Sequence, residues 1–271
     1  MPEEKEELIN RIFNESCLDT MARMPENFID LTITSPPYNV GIKYDGYNDS
    51  RHPEEYFDFI KKVASGLYRV TKKGGRLCLN VPFIGNSYLV GKSQELQFYP
   101  SPFIDIFSTT NWIFRDFFVW IKSSEPENPN IFSGNSTTWG SWLSPSCPYA
   151  RCFLEAILIF HKEDKTLQEK GISDITKEEF LEYTKNAWYF PVETNREHPA
   201  PYPLELPKRC MKLFSWVNAI VYDPFAGSGT TPVACVKNKR RYIASETSEG
   251  YYKRAVWRVR DEEAVISLPF G

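Results

Sequence analysis

The sequence predicts a single α/β domain in which a mixed, mostly parallel β-sheet carries helices on both faces. Residues 219–259 follow the order strand, turn, helix, strand, helix, and this alternation is typical of parallel sheets. Nearer the start of the chain, the run 28–33 mixes β-branched and apolar residues and leads to two consecutive prolines, which end a strand. A length of 271 residues suits one such domain with insertions better than two independent domains.

The first strand leads into a rigid turn, Thr34–Asn39, with the sequence Thr-Ser-Pro-Pro-Tyr-Asn. Open α/β sheets bind their ligands at the carboxyl ends of the strands, so we expect this turn to line a functional site. Ser35 brings a hydroxyl, Pro36 a carbonyl and Tyr38 an aromatic ring. Together these groups suit a flat ring that bears an amino group, such as a nucleobase.

The middle of the chain contains regular elements and two long irregular stretches. Apolar residues recur with a helical period over 53–70, where Pro53 fits the first turn and Gly74-Gly75 gives a stop signal. Strands are predicted at 76–81, 112–121 and 153–160, and helices near 177–184 and 206–214. The stretches 122–151 and 163–195 interrupt this pattern, and long loops in compact domains usually cover or bind ligands.

A second motif, Pro-Phe-Ala-Gly-Ser-Gly-Thr-Thr over 224–231, lies between a strand at 219–223 and a helix at 232–236. Gly227 and Gly229 allow a positive φ and let the backbone approach a ligand closely. The free N–H groups at the start of the helix then face that ligand. The motif therefore predicts a second ligand-binding turn.

The residues around this turn indicate which ligand it takes. Glu246 ends the strand 241–245 and follows Gly227 by about twenty residues, the spacing at which an acidic residue meets ribose hydroxyls in Rossmann-type sites. Pro232 stands where a dinucleotide fingerprint has its third glycine. A nucleoside-containing ligand without a diphosphate fits better, and S-adenosylmethionine has that character.

Composition limits which partners, metal sites and cellular locations are expected for the chain. The net charge is −3, so contact with nucleic acid has to come from local basic patches such as 237–241. The six cysteines form no CxxC pair, so we expect reduced, mostly buried thiols and no metal; the alternative is a zinc site at Cys147 and Cys152. The apolar run 156–160 is too short to span a bilayer, and the acidic segment 1–7 lacks a signal core, which favours a cytoplasmic location.

With both motifs in hand, the chain resembles the β-type (permuted) DNA amino-methyltransferases. In that family a catalytic (D/N/S)PPY segment precedes a cofactor-binding FxGxG segment. Ser35–Tyr38 match the first segment and Phe225–Gly229 match the second, in the same order. The segments 155–162 and 198–203 resemble two minor family motifs, and the likeness covers most of 28–257.

The resemblance implies a Rossmann-like methyltransferase fold with a circularly permuted motif order. One catalytic domain would span 1–271, with a catalytic half at 28–162 and a cofactor-binding half at 196–260. The irregular stretches 122–151 and 163–195 would be insertions that recognise DNA.

The resemblance makes the first motif the catalytic turn, formed by Ser35, Pro36, Pro37 and Tyr38. A base flipped out of the duplex would stack on Tyr38, while Ser35 Oγ and the Pro36 carbonyl accept hydrogen bonds from its amine. Serine at the first motif position marks cytosine-N4 enzymes of the family and aspartate marks adenine-N6 enzymes. The prediction is therefore N4 methylation, with adenine N6 as the alternative.

Methylation of a ring carbon uses a cysteine that follows a proline, and no cysteine of this sequence does so.

The resemblance makes the second motif the binding site of S-adenosyl-L-methionine. Glu246 would hold the ribose. Two residues keep two interpretations each: Asp223 contacts the cofactor or caps the turn, and His198 approaches the cofactor carboxylate or has a structural role in its loop. The groups that would hold the methionine part belong to one turn: Phe225, Ala226, Gly227, Ser228, Gly229 and Thr230.

The implied partner is double-stranded DNA, with a cognate restriction endonuclease as a further partner and a monomer or a homodimer as the oligomeric state. Within the two irregular stretches, the candidate DNA contacts are Lys122, Trp139, Trp142 and Lys165. Two rival classes are weaker. An NAD-binding oxidoreductase explains only the glycine turn, and a non-catalytic DNA-binding module would need a helix-turn-helix or zinc pattern that the sequence lacks.

Overall fold

An eight-stranded β-sheet forms the centre of the fold in the computed structural model, which describes residues 6–39, 43–44, 47–48, 51–86, 96–123, 141–148, 152–193 and 201–267. The strands are β1 (Arg11–Phe13), β2 (Ile29–Thr34), β3 (Lys43–Tyr44), β4 (Tyr47–Asn48), β5 (Thr71–Pro82), β6 (Ile84–Asn86), β7 (Leu96–Phe98), β8 (Trp112–Ile121), β9 (Leu154–Lys162), β10 (Ala187–Tyr189), β11 (Ile220–Asp223) and β12 (Arg241–Ser245). The helices are α1 (Cys17–Arg23), α2 (Pro53–Val70), α3 (Pro100–Thr109), α4 (Lys177–Tyr183), α5 (Glu205–Phe214), α6 (Thr230–Lys237) and α7 (Glu249–Ser267). Over the described part of the chain, none of these helices combines the length and the apolar character needed to cross a membrane.

The strands of the large sheet follow the order β1-β12-β11-β2-β5-β9-β8-β10. Strand β9 pairs antiparallel with both of its neighbours, β5 and β8. All other neighbouring pairs in this sheet are parallel. The predicted mixed, mostly parallel sheet is confirmed. Strands β2 and β11, which carry the two sequence motifs at their ends, lie side by side.

Helices cover both faces of the sheet, and the alternation along the central strands explains why. Leu77 and Leu79 of β5 belong to one core, which also contains α1, α2 and α3, whereas Cys78 belongs to a second core with α5, α6 and α7. Leu158 and Ile159 of β9 divide between the same two cores. Successive strand side chains point to opposite faces, so these strands need an apolar cover on each side. The prediction of helices on both faces is confirmed.

Most elements predicted from periodicity are present, with ends moved by a few residues. The helix predicted over 53–70 is α2, and the strand predicted over 112–121 is β8. Strand β5 begins at Thr71, before the predicted 76–81. Its pairing with β2 shifts register near Gly74, whose φ of +73° accommodates the irregularity, so the strand continues on both sides of it. The unpredicted elements include α1, α3 and β10. Strand β10 has only three residues, and prolines at 100 and 102 obscure the helical period of α3.

The direction of β9 determines where the two irregular stretches attach. Its first residues pair with the end of β5 and its last residues pair with the start of β5. The stretch 122–151 therefore leaves and returns at the sheet edge where β2 and β11 end. The stretch 163–195 begins at the opposite edge, where Arg76 donates to the backbone carbonyl of Lys165. It returns to the first edge only through β10, which runs parallel to β8.

Strands β2 and β11 are joined by side chains as well as by the sheet. The Thr34 hydroxyl donates to Asp223 Oδ1 at 2.8 Å, and both residues are buried. At the other end of the pair, the backbone N–H of Ile220 donates to Asp30 Oδ2 at 2.7 Å. The two bonds fix the register of the strands that carry the two motifs.

This junction offers a matched pair of substitutions on one strand. Thr34→Val removes a hydrogen bond to a buried carboxylate, and we expect it to lower the free energy of unfolding by about 2 kcal/mol. Thr32 is also fully buried, and its hydroxyl has no hydrogen-bond partner among the described residues. Thr32→Val should be neutral or stabilising, because a methyl group replaces an unpaired hydroxyl. Urea denaturation of both variants measures the difference, and equal effects would contradict a role for the Thr34–Asp223 bond.

Candidate active site

The turn that follows β2 is fixed by hydrogen bonds to its own backbone. The Tyr56 hydroxyl of α2 donates to the Pro37 carbonyl at 2.7 Å, and the Tyr99 hydroxyl donates to the Tyr38 carbonyl at 3.4 Å. The proline rings already restrict φ at two consecutive positions. The turn therefore presents Ser35 and Tyr38 in one defined geometry.

A polar network extends from this turn to β5, β8 and β9. Ser35 Oγ lies 2.5 Å from the Tyr38 hydroxyl oxygen. The Asn80 amide donates to the Tyr38 hydroxyl at 3.1 Å and also to Glu155 Oε2. The Tyr38 hydroxyl donates to Glu155 Oε2 at 3.4 Å, and Glu155 Oε1 forms an ion pair with Lys122 Nζ at 2.5 Å. All five residues line a cavity of about 220 Å³.

The glycine turn between β11 and α6 uses its two glycines for different purposes. Gly227 has φ +52°, and its N–H donates to Glu246 Oε2 at 2.8 Å. Gly229 has φ +84°, and a Cβ there would lie 2.7 Å from the Ala255 Cβ of α7. Gly227 therefore serves the ligand side of the turn, whereas Gly229 lets α6 and α7 pack closely.

Glu246 follows β12 and faces the glycine turn. One carboxylate oxygen accepts from the Gly227 N–H and the other accepts from the Ser248 N–H, each at 2.8 Å. Burial raises the pKa of this carboxyl above that of a free glutamate. A carboxylate in this position can accept hydrogen bonds from two neighbouring hydroxyl groups of a ligand.

Asp223 caps the turn, which is one of the two roles that the sequence left open. Its Oδ1 accepts from the Thr34 hydroxyl at 2.8 Å and from the Phe225 N–H at 3.0 Å, and its Oδ2 accepts from the Tyr202 hydroxyl at 2.9 Å. The side chain is fully buried, and burial raises its pKa. Asp223 does not contribute to the lining of the main cavity described next.

A cavity of about 340 Å³ brings the two motifs together. The predicted residues that line it are Ser35, Pro36, Pro37, Tyr38, Phe225, Ala226, Gly227, Ser228, Thr230 and Glu246. Its volume lies in the range of small-molecule sites, about 300–1,000 Å³. The two turns and the acid that the sequence places far apart thus share one site.

The chemistry of this cavity suits a nucleoside with a charged, polar tail. The Glu246 carboxylate can accept from ribose hydroxyls, and the aromatic rings of Phe59, Phe225 and Tyr251 provide flat apolar walls. The N–H groups of the glycine turn at Phe225, Ala226, Gly227 and Gly229 donate within the protein, so a carboxylate would be favoured by the positive end of the α6 dipole. These features fit S-adenosylmethionine.

The sequence-predicted residues outside the two motifs fall in different places. Lys122 lies at the site, in the polar network with Glu155. Trp142 is exposed within the described segment 141–148. Lys165 lies at the opposite edge of the sheet, so the structure does not bring it to the site. Trp139 and His198 lie outside the described residues.

Several residues of the site were not predicted from the sequence. Ser16 and Cys17 at the start of α1 and Phe59 of α2 line the main cavity. Arg258 of α7 donates to the Ser228 carbonyl at 2.9 Å and to its hydroxyl at 3.0 Å, and so supports the glycine turn from outside. Ser16 could have been identified from the sequence, because serine is typical of helix N-caps and its side chain here accepts from the Leu18 N–H. No sequence pattern indicated Arg258.

The cysteines are all free thiols. Four of them are buried: Cys17, Cys78, Cys210 and Cys235. Burial raises the pKa of Cys17, in the main cavity, to about 12, so this thiol stays protonated at neutral pH and is not a nucleophile. Within the described ranges, no group of three or more His, Cys, Asp or Glu side chains is arranged to hold a metal ion.

Several known proteins with similar sequences are named as methyltransferases. The type II methyltransferase M.MjaVI of Methanocaldococcus jannaschii is 37% identical over 174 residues, which cover 64% of this chain and 82% of that protein. The DNA adenine methyltransferase YhdJ of Escherichia coli is 25% identical over 258 residues, which cover 92% of this chain and 82% of that protein.

Solved structures share the fold. TTHA0409 of Thermus thermophilus, described as a DNA modification methylase, is 25% identical with a TM-score of 0.70, and the match covers 93% of this chain and 95% of that one. A further structure of it was solved with S-adenosyl-L-methionine. The PvuII DNA methyltransferase (cytosine-N4-specific) has a TM-score of 0.69 at 18% identity, covering 94% of this chain and 91% of that one, and at this identity shows the fold alone.

The predicted Rossmann-like methyltransferase fold is thereby confirmed. A family model described as DNA methylase, N6_N4_Mtase, matches residues 29–256, which include both motifs and most of the chain. The chain therefore belongs to the N6/N4 family of DNA methylases.

Proposed function

We propose that this member of the family transfers a methyl group from S-adenosyl-L-methionine to the exocyclic N4 amine of a cytosine flipped out of double-stranded DNA. One observation carries the proposal: Ser35–Tyr38, Phe225–Ser228 and Glu246 open onto a single cavity. The catalytic half, 28–162, carries the base-side turn and the cofactor-binding half, 196–260, carries the cofactor-side turn, within one catalytic domain. An oxidoreductase would leave the first of these turns without a role.

The cofactor side of the cavity holds S-adenosylmethionine through groups of this chain. Glu246 accepts hydrogen bonds from the ribose hydroxyls, and the backbone of Phe225–Ser228 and the Thr230 hydroxyl meet the methionine part. Gly229 acts indirectly, through the packing of α6 on α7. When bound, the cofactor supplies a methyl group on a positively charged sulfur. The aromatic walls of the cavity would shield the bound cofactor from water.

The catalytic turn has to activate a poor nucleophile, because the lone pair of an exocyclic amine is delocalised into the ring. Ser35 Oγ and the Pro36 carbonyl each accept a hydrogen bond from the amine, which orients the nitrogen and favours its rehybridisation. A serine hydroxyl is not a base at neutral pH, so the amine keeps its protons until the methyl group is bound. The Tyr38 ring provides a stacking surface for the base.

Our assignment of cytosine as the substrate base rests on the identity of Ser35. Serine at the first position of the motif is the mark of the cytosine-N4 branch in the family that this chain resembles. A second candidate, methylation of adenine N6, is favoured by the similarity to YhdJ, which is named as a DNA adenine methyltransferase. Both reactions use the same acceptors for the amine, so the alternative changes the substrate and not the mechanism.

The DNA-contacting surface lies at the sheet edge where β2, β8 and β11 end. The stretch 122–151 leaves and returns at this edge, begins with Lys122 and includes the exposed Trp142. Two relatives, M.MjaVI and M.BglII, are named as type II methyltransferases. The chain is accordingly proposed to protect DNA against a restriction endonuclease that reads the same sequence.

The base is identified by treating duplex DNA with the enzyme and isotopically labelled S-adenosylmethionine, then analysing the nucleosides by mass spectrometry. We expect the label in N4-methylcytosine. Label in N6-methyladenine would overturn the cytosine assignment but leave the methyltransferase intact. If no labelled nucleoside forms even with a duplex that contains all short sequence contexts, the proposed activity is contradicted.

Ser35→Ala should slow methyl transfer by about 10²–10³-fold, because one oriented acceptor for the amine is lost at the reacting centre. Binding of S-adenosylmethionine should change little, since the cofactor groups are untouched. Single-turnover kinetics and calorimetric titration measure the two effects. Ser65→Ala is the control, because Ser65 is exposed on α2 and donates only to the Lys61 carbonyl. A Ser35→Ala enzyme with the wild-type rate would contradict the catalytic role of the turn.

The raised pKa of Glu246 predicts that cofactor affinity falls on acidification, and at a higher pH than the titration of a free glutamate would give, because a protonated carboxyl accepts ribose hydroxyls poorly. Glu246→Gln should bind the cofactor about tenfold more weakly at neutral pH and lose most of this pH dependence. Glu249→Gln, an exposed position in the first turn of α7, is the matched control. Calorimetry across the pH range tests both variants, and an unchanged pH profile in Glu246→Gln would refute the assignment.

A further inference from the structure

The polar network beside Ser35 contains a buried carboxylate for which the mechanism above has no use. Glu155 is the second residue of β9 and is 9% exposed. It forms an ion pair with Lys122 and receives hydrogen bonds from Asn80 and Tyr38. Glu155 is buried and Lys122 is partly exposed, and taking a carboxylate out of water is costly, so its place next to the catalytic turn requires a reason.

The donors and acceptors in the network determine the direction of its hydrogen bonds. The ionised Glu155 only accepts, and the Asn80 amide nitrogen only donates. The Tyr38 hydroxyl lies between these two groups: its oxygen accepts from Asn80, and its proton can go to Glu155 Oε2 at 3.4 Å or to the Asn80 carbonyl at 3.5 Å, of which the carboxylate is the stronger acceptor. The same oxygen can then accept from Ser35, 2.5 Å away. With its proton turned to Tyr38, Ser35 Oγ presents its lone pairs to a substrate amine.

We propose that Glu155 is the terminal proton acceptor for methyl transfer, reached from the amine through Ser35 and Tyr38. The inference rests on methylation of an exocyclic amine at Ser35, as proposed above, and applies to cytosine and adenine alike. Glu155 does not touch the substrate and is a positioning residue for the chain of hydrogen bonds.

The proton and electron balance of the step is complete without any further reactant. The carbon–nitrogen bond forms from the amine lone pair while the sulfur–methyl bond breaks, and its electron pair stays on sulfur. One amine proton passes to Ser35 Oγ, the Ser35 proton passes to the Tyr38 oxygen, and the Tyr38 proton passes to Glu155. The products are a neutral methylated amine and a protonated Glu155.

The energetics favour this direction of transfer. The methylated nitrogen is strongly acidic, because losing a proton restores the delocalisation of its lone pair into the ring, so a carboxylate is a sufficient acceptor. Positive charge already develops on the nitrogen as the new bond forms, and a chain of hydrogen bonds that ends in a carboxylate stabilises that charge. The Tyr38–Glu155 distance of 3.4 Å has to shorten in the DNA complex, as catalytic hydrogen bonds often do.

The released proton has a path to solvent. Glu155 lines the smaller cavity, together with Lys122, whose side chain is 26% exposed. The titratable or charged groups that share this cavity with Glu155 are Lys122, Glu193, Tyr38 and Tyr202. Burial beside Asp223 raises the pKa of Tyr202 well above its ordinary value, so Tyr202 stays neutral and does not compete as an acceptor.

Glu155→Gln tests the proposal, because it keeps the shape of the side chain and removes the acceptor. At saturating DNA and cofactor, we expect the single-turnover rate to fall by about 10²-fold. Equilibrium binding of DNA and of S-adenosylmethionine should stay within about twofold of wild type, a readout that a general structural defect would move.

Three further variants separate the relay from the ion pair. Lys122→Gln breaks the same ion pair but keeps the acceptor, so its rate should fall less than that of Glu155→Gln. Tyr38→Phe breaks the chain upstream, and the double variant Tyr38→Phe/Glu155→Gln should be no slower than the slower single variant, because both remove one path. Additive losses, or a Glu155→Gln enzyme with the wild-type rate, would overturn the relay. A wild-type enzyme that methylates no base would instead refute the proposed function.

Discussion

The pairing of β2 with β11 is the constraint on which the site depends. The two strands come from distant parts of the chain, yet they lie side by side and are tied by the buried bond from Thr34 to Asp223. Each strand ends in one of the two functional turns, so their register alone places Ser35 close to Phe225. The neighbouring strands lead away on either side from this pair, which makes it the switch point at which open α/β sheets bind their ligands.

Two carboxylates, the buried Asp223 and the partly buried Glu246, lie on either side of the glycine turn, and their surroundings give them different roles. Asp223 accepts hydrogen bonds on both oxygens and does not line the main cavity. Its carboxylate therefore links the turn, strand β2 and Tyr202 and has a structural role. Glu246 has a backbone N–H on each oxygen but faces the cavity. A carboxylate accepts up to about four hydrogen bonds, so Glu246 keeps acceptor capacity for a ligand.

The sequence predicted the parts of the molecule whose chemistry is local. Pro36 and Pro37 stop a strand wherever they occur, and alternation along β2 and β5 follows from burial on two faces, so the fold class and the two turns were predictable. The antiparallel direction of β9 was not, because it depends on pairing between distant strands. That direction brings Glu155 to Ser35 and takes Lys165 to the far edge. Gly229 was assigned to the ligand because sequence shows a glycine but not the helix that packs against it.

The geometry also indicates where discrimination between the two possible bases has to arise. The acceptors at Ser35 and Pro36 meet only the amine, which cytosine and adenine share, so they cannot by themselves distinguish one ring from the other. Selectivity therefore requires contacts with the remaining ring edge, and groups that the mechanism does not use are available beside Ser35. Trp120, Val192 and Glu193 line the smaller cavity next to the catalytic turn. Because β8 and the segment after β10 supply these residues, we expect the edge strands of the sheet to contribute to the choice of base, together with Ser35 at the end of β2.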